Sequence, residues 1–480
     1  MEVSQLNPQE LWSHFAALNA VPRASKKEEK IIRFMQSFGE KLGLETKTDE
    51  TGNVLIRKPA SKGMEDREPV VLQAHLDMVH QKNGEVDFDF ETEGIKMFVE
   101  EDWVRANGTT LGADNGMGVA AMMAILESKE LAHPPLEALF TVDEETGMTG
   151  AEGLKEGFLR GKILLNLDTE EDDEISIGCA GGVDVTARKK YETEHYKGSA
   201  VRIMVKGLQG GHSGMDIHKG FGNANVLLSR LLWKGLNLDV CVLSVDSGGL
   251  RNAIPREGQA LVAVKDSELY IKKLQLVIAA IEQEYSSLEK DLSIQIALEE
   301  VEAQALNMDD SRRFIQVLRS LHNGVYRMSP EVEDLVEASN NIARVELKDG
   351  RLEILCLTRS SVESTKKEVA DALEASLRLG EMEVELSGDY PGWQPNPHSK
   401  IVSLLTSIYQ ENFGSMPKVS AGHAGLECGI IGGKYPEMEM VSFGPTIRGA
   451  HSPDEKVSIS SVQKFWGFLK NILGEIPKKE

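Results

Sequence analysis

The sequence predicts an α/β fold in which a mostly parallel central sheet is interrupted by an inserted α+β domain. Up to about residue 182, short apolar runs alternate with crossovers and amphipathic helical patterns, which is typical of a parallel sheet. Beyond that point, alternating strand patterns, helical patterns and a hairpin follow one another, and a proline-rich segment ends them near residue 397. We therefore predict a first domain made of residues 1–182 and 397–480, and an inserted domain over residues 183–396.

Size and composition narrow the classes of protein to which this chain can belong. Its 480 residues suffice for roughly two domains. No apolar stretch approaches the ~20 residues of a membrane helix, and the N-terminus carries no secretory pattern, so we expect a cytoplasmic protein. A net charge of −23 argues against nucleic acid or a membrane surface as a partner. The four cysteines show no C-x-x-C spacing, which argues against a disulfide framework or a thiolate zinc site.

A helical pattern after Ser25 carries its own start signal. Ser25 and Glu28 have the S-x-x-E spacing of a capping box, and apolar residues recur at helical spacing as far as Leu42. We expect an amphipathic helix that packs on the sheet.

Three apolar runs of the first domain each end in charged side chains. The residues that follow these runs are His75 with Asp77, Glu144 with Glu145, and Asp168. Interpreted as parallel strands, the runs place these side chains at carboxyl ends, where the ligand crevice of an open α/β sheet lies. Residues far apart in sequence are therefore expected to meet there.

Together with Asp114 from a glycine-rich turn and His451 from a loop, these side chains have the composition of a two-metal site. The candidate ligands are His75, Asp114, Glu145, Asp168 and His451. Imidazoles and carboxylates bind borderline divalent ions, and two ions can share one bridging carboxylate, for which Asp114 is the natural candidate. Asp114 also precedes a helical pattern, so helix capping is the alternative, and both hold if one oxygen caps and the other coordinates.

Two further carboxylates have roles beside the metals. Asp77 lies two residues after His75 and can accept a hydrogen bond from the imidazole nitrogen that is not on metal. Glu144 can take a proton from a water molecule and deliver it to a leaving amine. Each motif alone is more often a turn, a cap or an exposed pair, and the prediction depends on their conjunction.

In chain order the motifs H-x-D, G-x-D-N-G, D-E-E-x-G, L-D-T and G-x-H-x-P-x-E resemble the aminoacylase and carboxypeptidase-type family of di-zinc metallopeptidases. The resemblance runs over nearly the whole chain. Four segments, residues 71–77, 112–118, 207–214 and 421–429, are most similar to the bacterial dipeptidases of that family.

The resemblance implies a specific set of roles in a di-zinc exopeptidase-like catalytic domain. His75 and Asp168 would bind one ion, Glu145 and His451 the other, and Asp114 both. The cofactors would be two divalent ions, zinc first, with manganese or cobalt as alternatives. The implied reaction is hydrolysis of unblocked dipeptides, Xaa-His included, by a hydroxide shared between the ions, with Glu144 as general base and Asp77 orienting His75.

The inserted domain would then be a lid through which the chain forms a homodimer. His212 resembles a lid histidine that stabilises the oxyanion, in its own subunit or the partner's; a turn histidine is the alternative. Arg359 could bind the dipeptide carboxylate bidentately, and the alternative is a surface arginine at a strand end. Asn252 resembles a substrate-loop residue, with a turn asparagine as the alternative. His423 and Glu427 receive no role.

Two other functions remain open at this point. One is a deacylase or carboxypeptidase of N-acyl amino acids that uses the same metals. The other is a catalytically silent homologue that binds metal.

Overall fold

The computed structural model describes residues 2–479, which divide into two compact units. Unit 1 contains the chain up to Gly178, Pro395–Ala421, and the chain from Leu426 onward. Unit 2 contains Cys179–Gln394 and the short segment Gly422–Gly425. That segment lies inside residues 397–480, all of which were predicted to belong to the first domain.

The elements are numbered in chain order. The α-helices are α1 (Gln9–Asn19), α2 (Glu29–Lys41), α3 (Ala113–Glu127), α4 (Glu144–Gly147), α5 (Thr149–Gly153), α6 (Ala224–Leu232), α7 (Ser267–Tyr285), α8 (Met308–Ser320), α9 (Glu363–Leu379), α10 (Lys400–Phe413), α11 (Glu427–Lys434) and α12 (Ile459–Glu475). The first strands are β1 (Glu45–Thr48), β2 (Val54–Lys58), β3 (Val70–His75), β4 (Met97–Glu100), β5 (Trp103–Ala106), β6 (Leu136–Thr141), β7 (Ile163–Asn166) and β8 (Glu174–Cys179). The remaining strands are β9 (Gly181–Lys190), β10 (Thr193–Lys206), β11 (Cys241–Gly248), β12 (Gly258–Ala263), β13 (Ser293–Leu306), β14 (Gly324–Met328), β15 (Val336–Lys348), β16 (Arg351–Ser360), β17 (Glu383–Tyr390), β18 (Lys418–Gly422), β19 (Glu439–Ser442), β20 (Ile447–Arg448) and β21 (Lys456–Ser458).

Within residues 2–479, the main sheet of unit 1 has eight strands in the order β1-β2-β6-β3-β7-β19-β8-β18. The four central strands, β6, β3, β7 and β19, run parallel, and β2 and β8 pair with them antiparallel. The predicted parallel sheet is therefore the centre of a mixed sheet. Strands β3, β6 and β7 are buried along their whole length, as expected for parallel strands covered on both faces.

The helix predicted after Ser25 is present as α2, but the prediction of its cap is wrong. Helix α2 begins at Glu29, and its N-terminus has no side-chain cap. The Ser25 hydroxyl instead donates to Oδ2 of Asp77 at 2.8 Å and to the Met78 carbonyl at 3.2 Å. A carboxylate is a stronger acceptor for a hydroxyl than a neutral group, so the buried Asp77 captures this serine.

Unit 2 is built on a second sheet. Among the described residues this sheet has nine strands, with β13-β10-β12-β11-β15-β16-β9-β17 in order and β14 beside β15. The predicted hairpin is formed by β15 and β16, which pair from Lys348 and Arg351 outward. Apolar residues of α6, α7, α8 and α9 join those of the strands in one core. None of the helices in the described part of the chain has the length and apolar character of a membrane span.

Candidate metal centre and active site

Asp114 lies between two histidines of unit 1. Its Oδ1 is 3.1 Å from Nε2 of His75, and its Oδ2 is 3.1 Å from Nε2 of His451. Each histidine also meets a carboxylate of its own. His75 Nε2 is 3.4 Å from Oδ1 of Asp168, and His451 Nε2 is 2.9 Å from Oε2 of Glu145. The predicted ligands thus form one cluster with two halves that share Asp114.

The parallel strands explain why these residues meet. His75 ends β3, Glu145 is the second residue of α4 just beyond β6, and Asp168 follows β7 by two residues. His75 lies opposite Thr141 in the register of β3 and β6, so the carboxyl ends of the two strands coincide. His451 comes from the loop after β20, where its backbone has a φ of 64°.

Asp77 contacts residues of both halves of the cluster. Its carboxylate accepts the backbone N–H groups of Glu144 at 3.0 Å and Glu145 at 3.2 Å. Nδ1 of His75 is 3.2 Å from the Asp77 carbonyl oxygen and 3.4 Å from the carboxylate Oδ1. Asp77 therefore holds the first turn of α4 and also orients the imidazole, with its main-chain oxygen making the closer contact.

Glu455 holds the loop that carries Asp114. Its carboxylate accepts four successive backbone N–H groups, from Leu111 to Asp114, at 2.7 to 3.3 Å. Helix α3 consequently has no side-chain cap of its own, and the carboxylate of Asp114 faces the two histidines instead. Glu455 lies in the G-x-H-x-P-x-E motif, for which no role of this glutamate was predicted. The feature that could have indicated a role for Glu455 is its acidic side chain four residues after the predicted ligand His451.

Burial and hydrogen bonds set the pKa values of the cluster. Burial raises the pKa of Glu145 and the pKa of Asp168. Hydrogen bonds to Asp114 and Glu145 raise the pKa of His451 to about 11. Burial would also raise the pKa of Asp114, but the hydrogen bonds from His451 and His75 outweigh it and leave this pKa far below its usual value. The cluster therefore favours positive charge beside its carboxylates.

These residues fit a metal centre. His75, Asp114 and Glu145 each offer a ligand atom, and those atoms lie within 4.8 Å of one another. Oε1 of Glu145 is buried and has no hydrogen-bond partner. A buried carboxylate oxygen without a donor is costly unless a cation compensates it, and mixed imidazole and carboxylate donors suit zinc-like ions.

A neighbouring acidic group has a structural explanation. Glu28, Asp77 and Asp143 also offer oxygens within 4.8 Å of one another. Glu28 accepts the backbone N–H of Asp143 at 3.1 Å, and Asp143 accepts the hydroxyls of Thr146 and Thr149. These bonds fix the turn that carries α4.

Glu144 lies beside the cluster at the start of α4. Burial raises its pKa well above the usual value; the charges of Asp168 and Glu427 act in the same direction, and His75 opposes them. A carboxyl group with a raised pKa can accept and return a proton near neutral pH. The position and environment of Glu144 therefore suit a general base.

In unit 2, backbone hydrogen bonds join the loop that carries His212 to the loop that carries Asn252. His212 forms a β-bridge with Ala253, and the N–H of Ser213 donates to the Asn252 carbonyl at 2.8 Å. Nδ1 of His212 accepts the N–H of Gly214 at 3.2 Å, so a neutral ring carries its proton on Nε2. The Asn252 side chain is exposed.

Arg359 is buried, with 5% of its surface exposed, and is not a surface arginine. Its Nη1 donates to the Tyr390 hydroxyl at 2.9 Å, and its Nε is buried without a partner. Burial lowers the pKa of His212, and the charge of Arg359 lowers it further. The same two causes lower the pKa of His423 to about 3.

His423 belongs to the segment that joins unit 2 from the C-terminal part of the chain. Its Nε2 is 2.7 Å from the Ser339 hydroxyl. Its carbonyl oxygen lies so close to Gly214 that a Cβ at position 214 would collide with it. The glycine therefore lets the His212 loop and the His423 segment pack together.

Comparison with known proteins identifies the family. The sequence profile of peptidase family M20/M25/M40 matches residues 71–475. The chain belongs to this family. It is 43% identical to the cytosol non-specific dipeptidase of Escherichia coli (strain K12), over 100% of both chains.

Solved structures are similar to this chain as well. The aminoacylhistidine dipeptidase of Vibrio alginolyticus is 42% identical and superimposes with a TM-score of 0.95, over 100% of this chain and 99% of that chain. Aminopeptidase PepT of Bacillus cereus is 16% identical and has a TM-score of 0.58, over 98% of this chain and 99% of that chain, and it shares the fold. The predicted family and the mixed α/β fold are thereby confirmed.

Proposed function

We propose that this protein is a metal-dependent dipeptidase that hydrolyses unblocked dipeptides, Xaa-His among them. The observation that carries the proposal is Asp114, which gives one oxygen to each of two histidines, each with its own carboxylate. The two relatives named above as dipeptidases share 42–43% of their residues with this chain over its full length.

The cofactors we propose are two divalent ions, zinc in the first place. His75 and Asp168 would hold one, Glu145 and His451 the other, and Asp114 both. When bound, such ions polarise a peptide carbonyl and activate water. Burial raises the pKa values of Glu145 and Asp168, so a bound cation would stabilise both carboxylates, which supports the proposal.

Glu144 would move the proton in this reaction. Its carboxylate takes a proton from the attacking water and delivers it to the nitrogen of the leaving amino acid. Asp77 serves this step indirectly, because its hydrogen bonds to the N–H groups of Glu144 and Glu145 fix both side chains on one turn.

Unit 2 would contribute the remaining substrate contacts. Nε2–H of His212 is suited to donate to the developing oxyanion, since Nδ1 is occupied as an acceptor. Arg359 would bind the carboxylate of the dipeptide, for which its buried and unpartnered Nε is a free donor. Asn252 lies on the loop joined to His212 and would complete the contacts.

We further propose that unit 2 is an inserted lid, that it joins two copies of the chain in a homodimer, and that the enzyme works in the cytoplasm. Light scattering of the purified protein tests the homodimer. A variant that lacks activity through His212 can then be mixed with an Asp114 variant, because restored activity indicates that His212 acts on the partner subunit.

The first experiment is hydrolysis of Ala-His by purified protein before chelation, after chelation, and after zinc or manganese is returned. We expect activity to disappear and return with the metal, and Gly-Gly-Gly to be spared. N-acetyl-histidine is the decisive comparison. Its cleavage without cleavage of Ala-His would indicate a deacylase, and inactivity on both with two metals bound would indicate a silent homologue.

A further inference from the structure

Glu427, at the start of α11 in unit 1, is a buried carboxylate with one oxygen unused. Only 1% of the residue is exposed. Oε2 accepts Nε2–H of Gln73 at 2.6 Å and the Thr141 hydroxyl at 2.7 Å. Oε1 is buried and has no hydrogen-bond partner. Both partners of Oε2 are neutral, so neither compensates the negative charge.

Other buried glutamates are satisfied. The carboxylates of Glu137, Glu289 and Glu455 accept hydrogen bonds on both oxygens. Among the glutamates of residues 2–479, only Glu145 and Glu427 have a buried oxygen without a partner. For Glu145 the proposed metal explains the unpaired oxygen. An unsatisfied buried group in a native structure calls for an explanation, and Glu427 still lacks one.

The neighbours of Glu427 connect it to the metal centre. Gln73 precedes His75 by two residues on β3, so both side chains lie on the same face of the sheet. Thr141 is opposite His75 in the register of β3 and β6. The charges of His75 and Asp168 influence the pKa of Glu427, which burial raises to about 7. Glu427 is thus fixed close to the predicted ligands without being one of them.

The missing partner should be a small cation that brings its own hydrogen-bond donors. A metal ion is poorly served here, because a single carboxylate oxygen is available and Glu427 is absent from the group of clustered ligand atoms among the described residues. A protonated amine carries three N–H donors and a full positive charge. An unblocked dipeptide has such an amine one carbon atom from the carbonyl that is attacked.

We propose that Glu427 binds the protonated amino group of the substrate and thereby selects unblocked dipeptides over N-acyl amino acids. The inference rests on the proposed dipeptidase function. The metal ligands alone would suit the hydrolysis of many amides. Glu427 would add the requirement for a free amine, because its buried carboxylate has no compensating charge until the substrate ammonium binds.

The test compares Glu427→Gln with the wild type on two ligands. Ala-His has the amine, and propionyl-histidine is the same molecule without it. A lost charge-assisted hydrogen bond corresponds to a change of about 10- to 100-fold. We expect kcat/KM for Ala-His to fall by about that factor, mainly through KM. Binding of propionyl-histidine, measured as KM or as an inhibition constant, should change little. Glu439→Gln, which removes a carboxylate that accepts the first N–H groups of α10, is the matched control.

A second variant separates recognition from a structural role. Glu427→Asp keeps the charge but withdraws it by one methylene, whereas β-Ala-His extends its amine by one methylene. We expect this variant to shift the preference from Ala-His toward β-Ala-His. A structural role of Glu427 predicts no such shift.

The results that would overturn the inference are specific. Equal losses for Ala-His and propionyl-histidine in Glu427→Gln, with no shift toward β-Ala-His in Glu427→Asp, would make Glu427 structural. Loss of bound metal, measured by elemental analysis, would make it part of the metal centre. If the wild type does not cleave Ala-His at all, the proposed dipeptidase function itself has failed.

Discussion

The functional side chains of unit 1 and those of unit 2 favour ligands of opposite charge. In unit 1, burial raises the pKa values of Glu145 and Asp168, so the carboxylates favour a cation beside them. In unit 2, burial lowers the pKa values of His212 and His423, and the charge of Arg359 lowers them further. The buried guanidinium of Arg359, whose Nε has no partner, favours an anion beside it. A dipeptidase needs both environments, because its cofactors are cations and its substrate ends in a carboxylate.

The two regions also differ in how they are built. The ligands of unit 1 come from the ends of neighbouring parallel strands, and Asp77 and Glu455 hold them through several backbone hydrogen bonds. In unit 2, His212 and Asn252 lie on loops that are joined by backbone hydrogen bonds, and Arg359 alone lies on a strand. We therefore expect mutations of the clustered ligands and of Glu144 in unit 1 to affect metal binding and chemistry, and mutations of Arg359 in unit 2 to affect substrate affinity.

The largest expected effect is that of Glu144→Gln, which removes the proposed base and preserves the size of the side chain. Because the amide cannot take a proton, kcat for Ala-His should fall by about 10²- to 10⁴-fold. Elemental analysis should find the metal content unchanged. Glu152→Gln, in the exposed part of α5, is the control. Near-normal turnover by Glu144→Gln would show that another group is the base.

Asp114→Asn tests the shared carboxylate. The amide is a weaker ligand and loses the charge that interacts with both His75 and His451. We expect metal affinity, measured by competition with a chelator, to fall by at least about 10- to 100-fold. That loss is typical when a residue that only hydrogen-bonds to a metal ligand is removed, and Asp114 is a proposed ligand itself. Full retention of both ions would contradict the bridging role of Asp114.

Much of unit 1 could be predicted from the sequence because its signals are local. Apolar runs that end in His75, Glu145 and Asp168 indicate strand ends, and parallel strands bring such ends together. The wrong prediction at Ser25 has the opposite origin. Its spacing to Glu28 indicated a local cap, whereas its actual partner is Asp77, which is distant in sequence.

Partners that are far apart along the chain explain the rest. Glu455 holds the loop from Leu111 to Asp114, and Glu427 bonds to Gln73, but no periodicity relates these positions. The departure of residues 422–425 into unit 2 has no compositional signal either. Local patterns specify elements, whereas the choice among many buried acceptors is made only when the chain has folded.

Arg359→Lys tests whether Arg359 in unit 2 recognises the carboxylate of the substrate. Lysine keeps the charge but lacks the planar fork that binds a carboxylate through two hydrogen bonds. We expect KM for Ala-His to rise about tenfold, with a smaller change in kcat. The C-terminal amide of Ala-His has no carboxylate, so it is the matched substrate control and should be insensitive to the variant. An equal effect on acid and amide would remove Arg359 from carboxylate recognition.

The smallest expected effect belongs to Tyr390, which positions Arg359 within unit 2. The Tyr390 hydroxyl accepts Nη1–H of Arg359 at 2.9 Å, and the Tyr390 carbonyl accepts the Lys366 ammonium at 2.6 Å. Tyr390→Phe removes the first bond and leaves the main-chain bond to Lys366 in place. The loss of one such bond, about 0.5–1.5 kcal/mol, corresponds to a rise in KM for Ala-His of about 2- to 10-fold.

A double-mutant cycle distinguishes this role from a general loss of packing. If Tyr390 acts through Arg359, the effect of Tyr390→Phe should vanish in the Arg359→Lys background and for the amide substrate. Tyr435→Phe, which removes a hydroxyl that donates to the Lys155 carbonyl in unit 1, should leave KM unchanged. Additive effects of the two substitutions would mean that Tyr390 and Arg359 act independently, and the carboxylate site would then lack a device that fixes the guanidinium.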